Sequence, residues 1–491
     1  MKKELLLNFI ITLVIGILTF AINRYFVIYI GIAALGIMKL FNQLLYYLNL
    51  VEMGIGGAST YAFYEPLMKN DYKKISIILG TIAPLYNKIS VIIFSIGLFI
   101  TPLIPLLLKD KIETKILYIY WILYVINTTI SYLYIKYSIL FMADQKFNIV
   151  RSIQGISKIT CQVLQIIVII KIQSFTVYIL LLILDNLIQY ICYLYYYKKN
   201  YKKIYTTKER DKSIFINIGR LFWHKLAALV VFNTDLILIS KFISLEAVGI
   251  YASYLMISQM VASIFNIFIN VLRPKVGKFI AKHTKEEVFF LWKKLNILFL
   301  FFSLVAIMSI YFLIDDFIKL WLGEKFIFSK LTTILILINF FIYFSRMITD
   351  IFKDGDGFFE DTNLPILEAI INFLISLILV NLIGINGVII GTIVSNILII
   401  CIARPILVFK RCFNKGTNEY IKLYRQYLFF IMVTILISCL IINNTPIFIV
   451  KTWLDFILKA AVVGGINFVL ILIIFLKNSD FRKNYKLLVL E

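Results

Sequence analysis

The sequence has 491 residues, of which 61% are hydrophobic and only 16% are charged, and its mean hydropathy is +0.92. Soluble domains carry roughly 25% charged residues, and no soluble core could bury this much apolar surface. The composition therefore excludes a soluble globular protein and predicts a membrane protein. The formal net charge of +23 favours contact with anionic lipid headgroups over nucleic-acid binding, because the basic residues cluster in short loops between apolar segments.

Apolar segments that are long enough to span a bilayer recur along the whole chain. About 20 residues suffice for a helix to cross the hydrocarbon layer. Fourteen such segments, numbered here as spans 1 to 14, are predicted at residues 7–29, 37–62, 77–107, 116–141, 152–171, 175–197, 214–241, 247–272, 288–314, 327–351, 364–383, 386–409, 424–442 and 453–476. The expected fold class is an all-α polytopic membrane protein.

The distribution of Lys and Arg predicts the orientation of these spans. With both termini in the cytoplasm, the inner segments hold 29 Lys and Arg residues and the outer loops hold 8. Basic residues of short loops accumulate on the cytoplasmic side. We therefore expect both termini to be cytoplasmic, and the span after Met1-Lys2-Lys3 to be a retained first helix.

A short internal repeat predicts two halves. Residues 30–38 (Ile-Gly-Ile-Ala-Ala-Leu-Gly-Ile-Met) and 243–251 (Ile-Ser-Leu-Glu-Ala-Val-Gly-Ile-Tyr) match at Ile, Ala, Gly and Ile without a gap. Both copies occupy a turn between an outward-running and an inward-running span, as in a parallel repeat. The predicted organisation is an N-lobe at residues 1–200, a basic cytoplasmic linker at 201–213, a C-lobe at 214–412, and a trailing region at 413–491 with spans 13 and 14.

Span 7 carries a polar stripe. Asn217, Arg220, His224 and Asp235 stand at offsets 0, 3, 7 and 18, so they project from nearly one face of a helix with 3.6 residues per turn. Lys225 lies about 80° away from this stripe. Ionisable groups that face lipid cost roughly 2.5 to 3.5 kcal/mol each, so such a stripe is expected to face a bundle interior or a water-filled cavity.

Four other spans carry polar faces at helical spacing. These faces comprise Asn8, Thr12, Thr19 and Asn23 in span 1; Lys39, Asn42, Tyr46 and Asn49 in span 2, with Glu52 one turn further; Gln154, Lys158, Cys161 and Gln165 in span 5; and Gln259, Ser263, Asn266 and Asn270 in span 8. Amide and hydroxyl groups can replace water around a sugar. The faces are thus compatible with a cavity that accepts a hydroxyl-rich substrate.

Three segments resemble a known family. Residues 232–241 (Phe-Asn-Thr-Asp-Leu-Ile-Leu-Ile-Ser-Lys), followed by Val-Gly-Ile-Tyr at 248–251, are similar to the signature of bacterial polysaccharide transporters. These are the Wzx-type repeat-unit flippases of the multidrug/oligosaccharidyl-lipid/polysaccharide (MOP) exporter superfamily. Leu-Trp-Leu-Gly at 320–323 and Gly-Ile-Asn-Gly-Val at 384–388 resemble two further segments of that family.

The resemblance implies two six-helix lobes around a central cavity that opens alternately to each side. The implied substrate is an undecaprenyl-diphosphate-linked oligosaccharide, which would be moved from the inner to the outer leaflet of the bacterial cytoplasmic membrane for capsule, O-antigen or exopolysaccharide synthesis. Arginine grips phosphate oxygens bidentately. The candidate substrate-binding residues are Arg24, Lys39, Asn42, Asn49, Lys158, Asn217, Arg220, His224, Lys225, Gln259 and Asn266.

Asp235 and Glu52 are the candidates for coupling to a proton or a sodium ion. Further expected partners are membrane lipids, a polysaccharide polymerase and glycosyltransferases, whereas no nucleic acid, cofactor or metal site is expected. Arg24 lies about 120° from the polar stripe of span 1, which also allows it to face the interface between the lobes. Residues 354–361 hold several acids, but their spacing does not fit a calcium loop, and a solvated inner turn is expected there.

Each candidate also has a purely structural interpretation. Arg220 and Lys225 can extend to the cytoplasmic headgroups, Asp235 can lock helices in a buried ion pair, and Glu52 can pair with Lys39 or Arg24. The amide faces can join neighbouring helices. Two alternative functions remain open: an ion-coupled exporter of drugs, metabolites or other lipid-linked precursors within the same superfamily, and a membrane-embedded polymerase or transferase. The short outer loops favour a transporter over an enzyme.

Overall fold

A computed structural model describes residues 2–52, 55–205, 207, 209–211, 234–358, 361, 363–444 and 449–477. The regular structure in these ranges is helical. The α-helices are α1 (Lys2–Tyr29), α2 (Ile32–Leu48), α3 (Ile55–Met68), α4 (Tyr72–Ile100), α5 (Thr114–Ala143), α6 (Phe147–Lys171), α7 (Phe175–Asn200), α8 (Asp235–Phe242), α9 (Leu245–Ile280), α10 (Lys285–Trp321), α11 (Lys330–Gly355), α12 (Asn363–Ile383), α13 (Ile385–Asn396), α14 (Arg404–Cys412), α15 (Thr417–Asn444) and α16 (Trp453–Leu476).

Twelve helical segments of the described chain are long and apolar enough to cross a membrane. This confirms the prediction of an all-α, multi-pass membrane protein. The twelve segments correspond to predicted spans 1, 3 to 6 and 8 to 14, with α13, a π-helix at Ile397–Ala403 and α14 forming one of them. Most of predicted span 7 lies outside the described residues, so the count of fourteen stays a prediction.

The prediction of one continuous helix at 37–62 is wrong. Helix α2 ends at Leu48, a 3-10 turn covers Asn49–Glu52, and α3 begins at Ile55. The backbone N–H of Asn49 donates to carbonyl groups of the last turn of α2 and caps it. The sequence beyond this point contains three glycines at 54, 56 and 57, and each glycine inside a helix costs about 1 kcal/mol relative to alanine.

The chain divides into two compact units, residues 1–250 and 251–491. In the first unit, α1 packs along α6, α4 and α7 pack on α5, and α2 contacts both α5 and α8. Its core includes Phe41, which meets the Trp121 ring edge-to-face at a centroid distance of 5.2 Å. The indole N–H of Trp121 donates to the Gly97 carbonyl at 2.8 Å, so this buried ring leaves no unsatisfied polar atom. The predicted lobe boundaries at 200 and 214 stay a prediction.

In the second unit, α10 packs against α11 and α16, and α12 forms a tight hairpin with α13. Gly384 adopts φ 61 and ψ −136 in the hairpin turn, a conformation that is open essentially only to glycine. Gly387 brings α13 so close to α12 that a Cβ atom would overlap the Leu379 carbonyl. Asn386, between them, accepts a hydrogen bond from Thr332 of α11 at 2.8 Å. The segment 384–388 therefore allows α12 and α13 to pack closely and joins them to α11.

Replacing Gly387 with Ala should destabilise this hairpin, because the added methyl group has no space and overpacking costs about 1–3 kcal/mol. Gly464 in α16 is a matched control, since a Cβ atom there meets no atom within 4 Å and alanine is the better helix former. Thermal unfolding of the purified protein in detergent should show a lower midpoint for Gly387→Ala and an unchanged or higher one for Gly464→Ala. Equal midpoints would contradict this packing.

Candidate functional site

Helix α2 presents its polar residues on its more open face. Phe41, Leu45 and Leu48 are buried on one face, whereas Asn42 is exposed and Lys39 is half-buried. Lys39 lies seven residues inside the helix, about 10 Å from its first residue at 1.5 Å per residue. Within the described part of the chain, the Lys39 ammonium has no ion-pair or hydrogen-bond partner. The alternative in which it pairs with Glu52 is therefore not observed.

Glu52 lies at the break between α2 and α3. Its carboxylate faces the hydroxyl groups of Tyr86 from α4 and Tyr132 from α5. The two tyrosine rings stack at a centroid distance of 6.5 Å. Tyr132 also donates a hydrogen bond to the Asn49 side chain at 2.9 Å. The break thus places the Glu52 carboxylate among phenol groups that can donate hydrogen bonds to it. Asn49 belongs to the same cluster through its hydrogen bond with Tyr132.

Asp235 is the first residue of α8 and is 9% exposed. It interacts electrostatically with Tyr47 of α2, and α8 packs on α2. Five predicted site residues therefore lie on α2 or on segments in contact with it: Lys39, Asn42, Asn49, Glu52 and Asp235. The other span 7 candidates, Asn217, Arg220, His224 and Lys225, lie outside the described residues.

Lys158 on α6 is engaged by a buried acid. Its ammonium lies 3.7 Å from Asp185 on α7, and the Asp185 side chain is 8% exposed. Ser157 donates a short hydrogen bond to the same carboxylate, and Gln189 donates another at 3.1 Å. The pair joins α6 to α7. The sequence analysis missed Asp185, although a lone acid within an apolar span is a signal for a paired or functional site.

The polar stripe of α1 faces α6. Thr19 accepts a hydrogen bond from Gln162 at 2.9 Å, and Asn23 is 1% exposed. For these residues the structural interpretation of the stripe holds. Arg24 is half-buried and lies about 100° around the helix from Asn23. In the second unit, Gln259 of α9 is exposed and Asn266 is half-buried. Among the residues that the structure describes, neither side chain makes a contact that favours a substrate role over a structural one.

The sequence analysis also missed a cluster of six charged residues in the second unit. It comprises Arg346, Asp350 and Lys353 of α11, Asp361, Glu368 of α12 and Arg404 of α14. The guanidinium of Arg404 lies 3.6 Å from Asp350, 3.5 Å from Asp361 and 3.9 Å from Glu368. Lys353 pairs with Asp361 at 2.6 Å, and Arg346 with Asp350 at 3.5 Å. The cluster is neutral in sum and ties three helices together.

This cluster corrects the expectation of a solvated turn at 354–361. The Asp361 side chain is only 5% exposed, because Lys353 and Arg404 neutralise it. Asp354 pairs with Arg273 of α9 at 3.0 Å. Among the residues that the structure describes, no group of His, Cys, Asp and Glu side chains is arranged to hold a metal ion.

A seam in the first unit joins residues 106–110 to residues 240–245 on the side predicted to be outer. Ser240 is fully buried and donates to the Leu107 carbonyl at 2.8 Å. The backbone N–H of Lys109 donates to the Ser240 carbonyl at 2.9 Å, and the ammonium of Lys109 reaches the Phe242 carbonyl at 3.1 Å. The carboxylate of Asp110 accepts from the backbone N–H of Leu245 at 2.6 Å, which caps the start of α9.

The two copies of the internal repeat meet beside this seam. A Cβ atom on Gly36 would overlap the Leu245 backbone, and one on Gly249 would lie 2.6 Å from the Ile32 carbonyl oxygen. Residues 36 and 249 are equivalent in the repeat, as are 32 and 245. The contact is therefore reciprocal. The repeated glycines serve to let the two segments cross closely.

Comparison with known proteins identifies the fold. Lipid II flippase MurJ in an inward closed conformation is 16% identical with a TM-score of 0.65, and the match covers 96% of this chain and 99% of that chain. An inward-facing multidrug resistance MATE family transporter of the MOP superfamily is 12% identical with a TM-score of 0.65, covering 80% and 94%. A MATE transporter of Vibrio cholerae is 14% identical with a TM-score of 0.53, covering 83% and 96%. The chain is thus a multi-pass membrane protein with the MurJ/MATE fold.

The polysaccharide biosynthesis protein family matches residues 1–279, more than half of the sequence. The chain belongs to this family. The resemblance to a polysaccharide biosynthesis family is thereby confirmed, and the fold is the one that MurJ and MATE transporters share. A comparison with curated proteins finds no match.

The Lys158–Asp185 pair allows a test of whether Lys158 stabilises the fold or binds substrate. Lys158→Met removes the cation next to a buried carboxylate, and we expect a loss of roughly 1–3 kcal/mol of stability. Adding Asp185→Asn removes the unpaired charge and keeps a side chain that can bond to Ser157 and Gln189. Thermal unfolding should therefore show a lower midpoint for the single variant and recovery in the double variant. If the midpoint of Lys158→Met equals that of the wild type, the lysine does not stabilise the fold and a substrate role is favoured.

Proposed function

We propose that the protein is a flippase that moves undecaprenyl-diphosphate-linked oligosaccharide repeat units from the inner to the outer leaflet of the bacterial cytoplasmic membrane by alternating access. Membership of the polysaccharide biosynthesis family and the MurJ/MATE fold support transport of a lipid-linked glycan precursor. The observation that carries the proposal is whether the charged side chains of the membrane-spanning helices have oppositely charged partners.

Several buried or half-buried charged side chains of the apolar helices have an opposite partner. Examples are Lys158 with Asp185, Lys459 with Asp316 at 2.6 Å, and Arg404 with three acids. Lys39 departs from this pattern, because it is half-buried and has no carboxylate partner in the described part of the chain. An unpaired cation within a membrane helix is expensive. A transported anion such as a diphosphate would supply the missing charge.

Lys136 of α5 is a second basic residue of this kind, and the sequence analysis missed it. It is half-buried, and its ammonium lies 5.2 Å from the centre of the Tyr137 ring without a carboxylate partner among the described residues. In the proposed mechanism Lys39 and Arg220 bind the diphosphate, with Arg24, Lys136 and Lys225 as further basic contacts. Asn42 of α2 and Asn49 in the turn after it offer hydrogen bonds to the sugars.

A proton or sodium gradient is proposed to reset the cycle through Glu52 or Asp235. Glu52 is supported by its two phenol neighbours, since a carboxylate among hydrogen-bond donors can exchange a proton without losing all its partners. Asp235 is supported by its burial at the start of α8, where the N–H groups of the first turn favour a negative charge. Both termini are proposed to be cytoplasmic, and the polymerase and glycosyltransferases of the pathway are the proposed functional partners.

Replacing Lys39 tests the proposal. Lys39→Met should reduce the amount of glycan at the cell surface by about 10- to 150-fold, because a hydrogen bond to a charged group is worth roughly 1.5–3 kcal/mol. Lys39→Arg should keep most of the export, since the guanidinium also binds phosphate. The matched control is Lys69→Met, which removes an exposed lysine that pairs with Glu65 at 2.7 Å.

Surface glycan is measured by immunoblotting at equal protein level in the membrane. Normal export by Lys39→Met would contradict the role of this residue. If cells without the protein kept their surface glycan and became sensitive to toxic cations, the drug-exporter alternative would replace the flippase.

A further inference from the structure

A cavity of about 1060 Å³ lies in the second unit, at one end of three helices. It is lined by Lys293 near the start of α10, by Lys422, Arg425 and Gln426 near the start of α15, and by Lys477 just after α16. Residues 410–425 and the region after 476 belong to the segments that are predicted to lie on the cytoplasmic side of the membrane. The cavity, here called the basic groove, is therefore at the level of the inner-leaflet headgroups.

Four cations line the groove, and the single acid beside them is Glu419. Glu419 is already engaged by Lys415 at 3.7 Å, so it offsets little of the charge in the groove. Lys422 and Arg425 are exposed, and neither has an ion-pair partner in the described ranges. They lie three residues apart, and Gln426 and Phe429 continue the same face of α15. This face concentrates positive charge, and Glu419 is the one acid of the groove lining.

The groove changes from basic to apolar along α15. Phe429 and Phe430 line its other part, and Leu428 and Phe429 are 56% and 59% exposed. At 1.5 Å per residue, Lys422 and Phe429 are separated by about 10 Å along the helix axis. An amphiphile with a phosphate head and an apolar tail can contact both the basic and the aromatic part of the groove. A soluble anion would contact the basic part alone.

We propose that the basic groove binds an anionic phospholipid of the inner leaflet. The Arg425 guanidinium and the Lys422 ammonium bind its phosphate, since Arg forms bidentate phosphate contacts and basic pockets between membrane helices on the cytoplasmic side recognise acidic headgroups. The acyl chains lie along Phe429 and the neighbouring apolar face of α15. The lining of the groove includes a single amide side chain, that of Gln426. All residues of the groove lie within 251–491, whereas the α2 residues that are proposed to bind the glycan substrate lie within 1–250.

Native mass spectrometry of the full-length protein in mild detergent tests this. Wild-type protein should bind phosphatidylglycerol more tightly than phosphatidylcholine, and Lys422→Gln with Arg425→Gln should weaken phosphatidylglycerol binding about 30-fold, at about 1 kcal/mol for each cation near the headgroups. The matched control is Lys198→Gln with Lys199→Gln, two exposed lysines at the end of α7, which should bind like wild type.

Arg425→Lys keeps the charge and should retain most of the binding, and thermal unfolding checks that each variant is folded. Equal binding of the two lipids by wild type, or unchanged phosphatidylglycerol binding by the double glutamine variant, would overturn the proposal. Preferential binding of undecaprenyl diphosphate over phosphatidylglycerol at this site would also overturn it and assign the groove to the substrate. Failure of the flippase proposal leaves these lipid measurements unaffected.

Discussion

The cost of a charge in the membrane interior governs this structure. An ionised side chain that is removed from water must find an opposite charge, a set of hydrogen bonds or a ligand. Asp185 satisfies this condition with Lys158, Ser157 and Gln189. Arg404 satisfies it with three carboxylates from neighbouring elements. These networks hold helices together and are neutral in sum, so they have no charge left for a ligand. Lys39 and Lys136 differ because no carboxylate partner of either is present in the described chain, which makes both candidates for binding a transported anion.

Close backbone contacts form the second constraint. Between membrane helices, small residues allow approach where hydrophobic burial gives little driving force. Gly36 and Gly249 make equivalent contacts in the two copies of a nine-residue repeat, each against the other copy. The neighbouring seam fixes the turn between α8 and α9 through Ser240, Lys109 and Asp110. The segments by which the sequence resembles polysaccharide transporters are in large part these packing and turn positions. They identify the family through its architecture, and the substrate has to be inferred from the charged side chains.

Hydropathy predicted the helical membrane fold, because the length of an apolar run is set directly by bilayer thickness. The break after Leu48 was not predicted, since an apolar run shows no interruption where helix geometry changes within the membrane. Polar stripes were a weaker guide, because the spacing of Thr19 and Asn23 is the same whether they face water or another helix. The structure places Thr19 against α6 and buries Asn23. Asp185 and Arg404 escaped prediction because their partners come from other helices. Only the tertiary packing shows which charges neutralise each other.

The most direct test of the central claim is translocation in reconstituted vesicles. Purified protein is inserted into proteoliposomes that contain a fluorescent undecaprenyl-diphosphate oligosaccharide, and a membrane-impermeant glycosidase is added outside. The account predicts that all of the lipid-linked glycan becomes accessible over time in vesicles with wild-type protein, and that Lys39→Met slows this strongly. If only the outer-leaflet fraction were cleaved, as in protein-free vesicles, although the protein is folded and inserted, the assignment as a flippase for lipid-linked oligosaccharide would be contradicted.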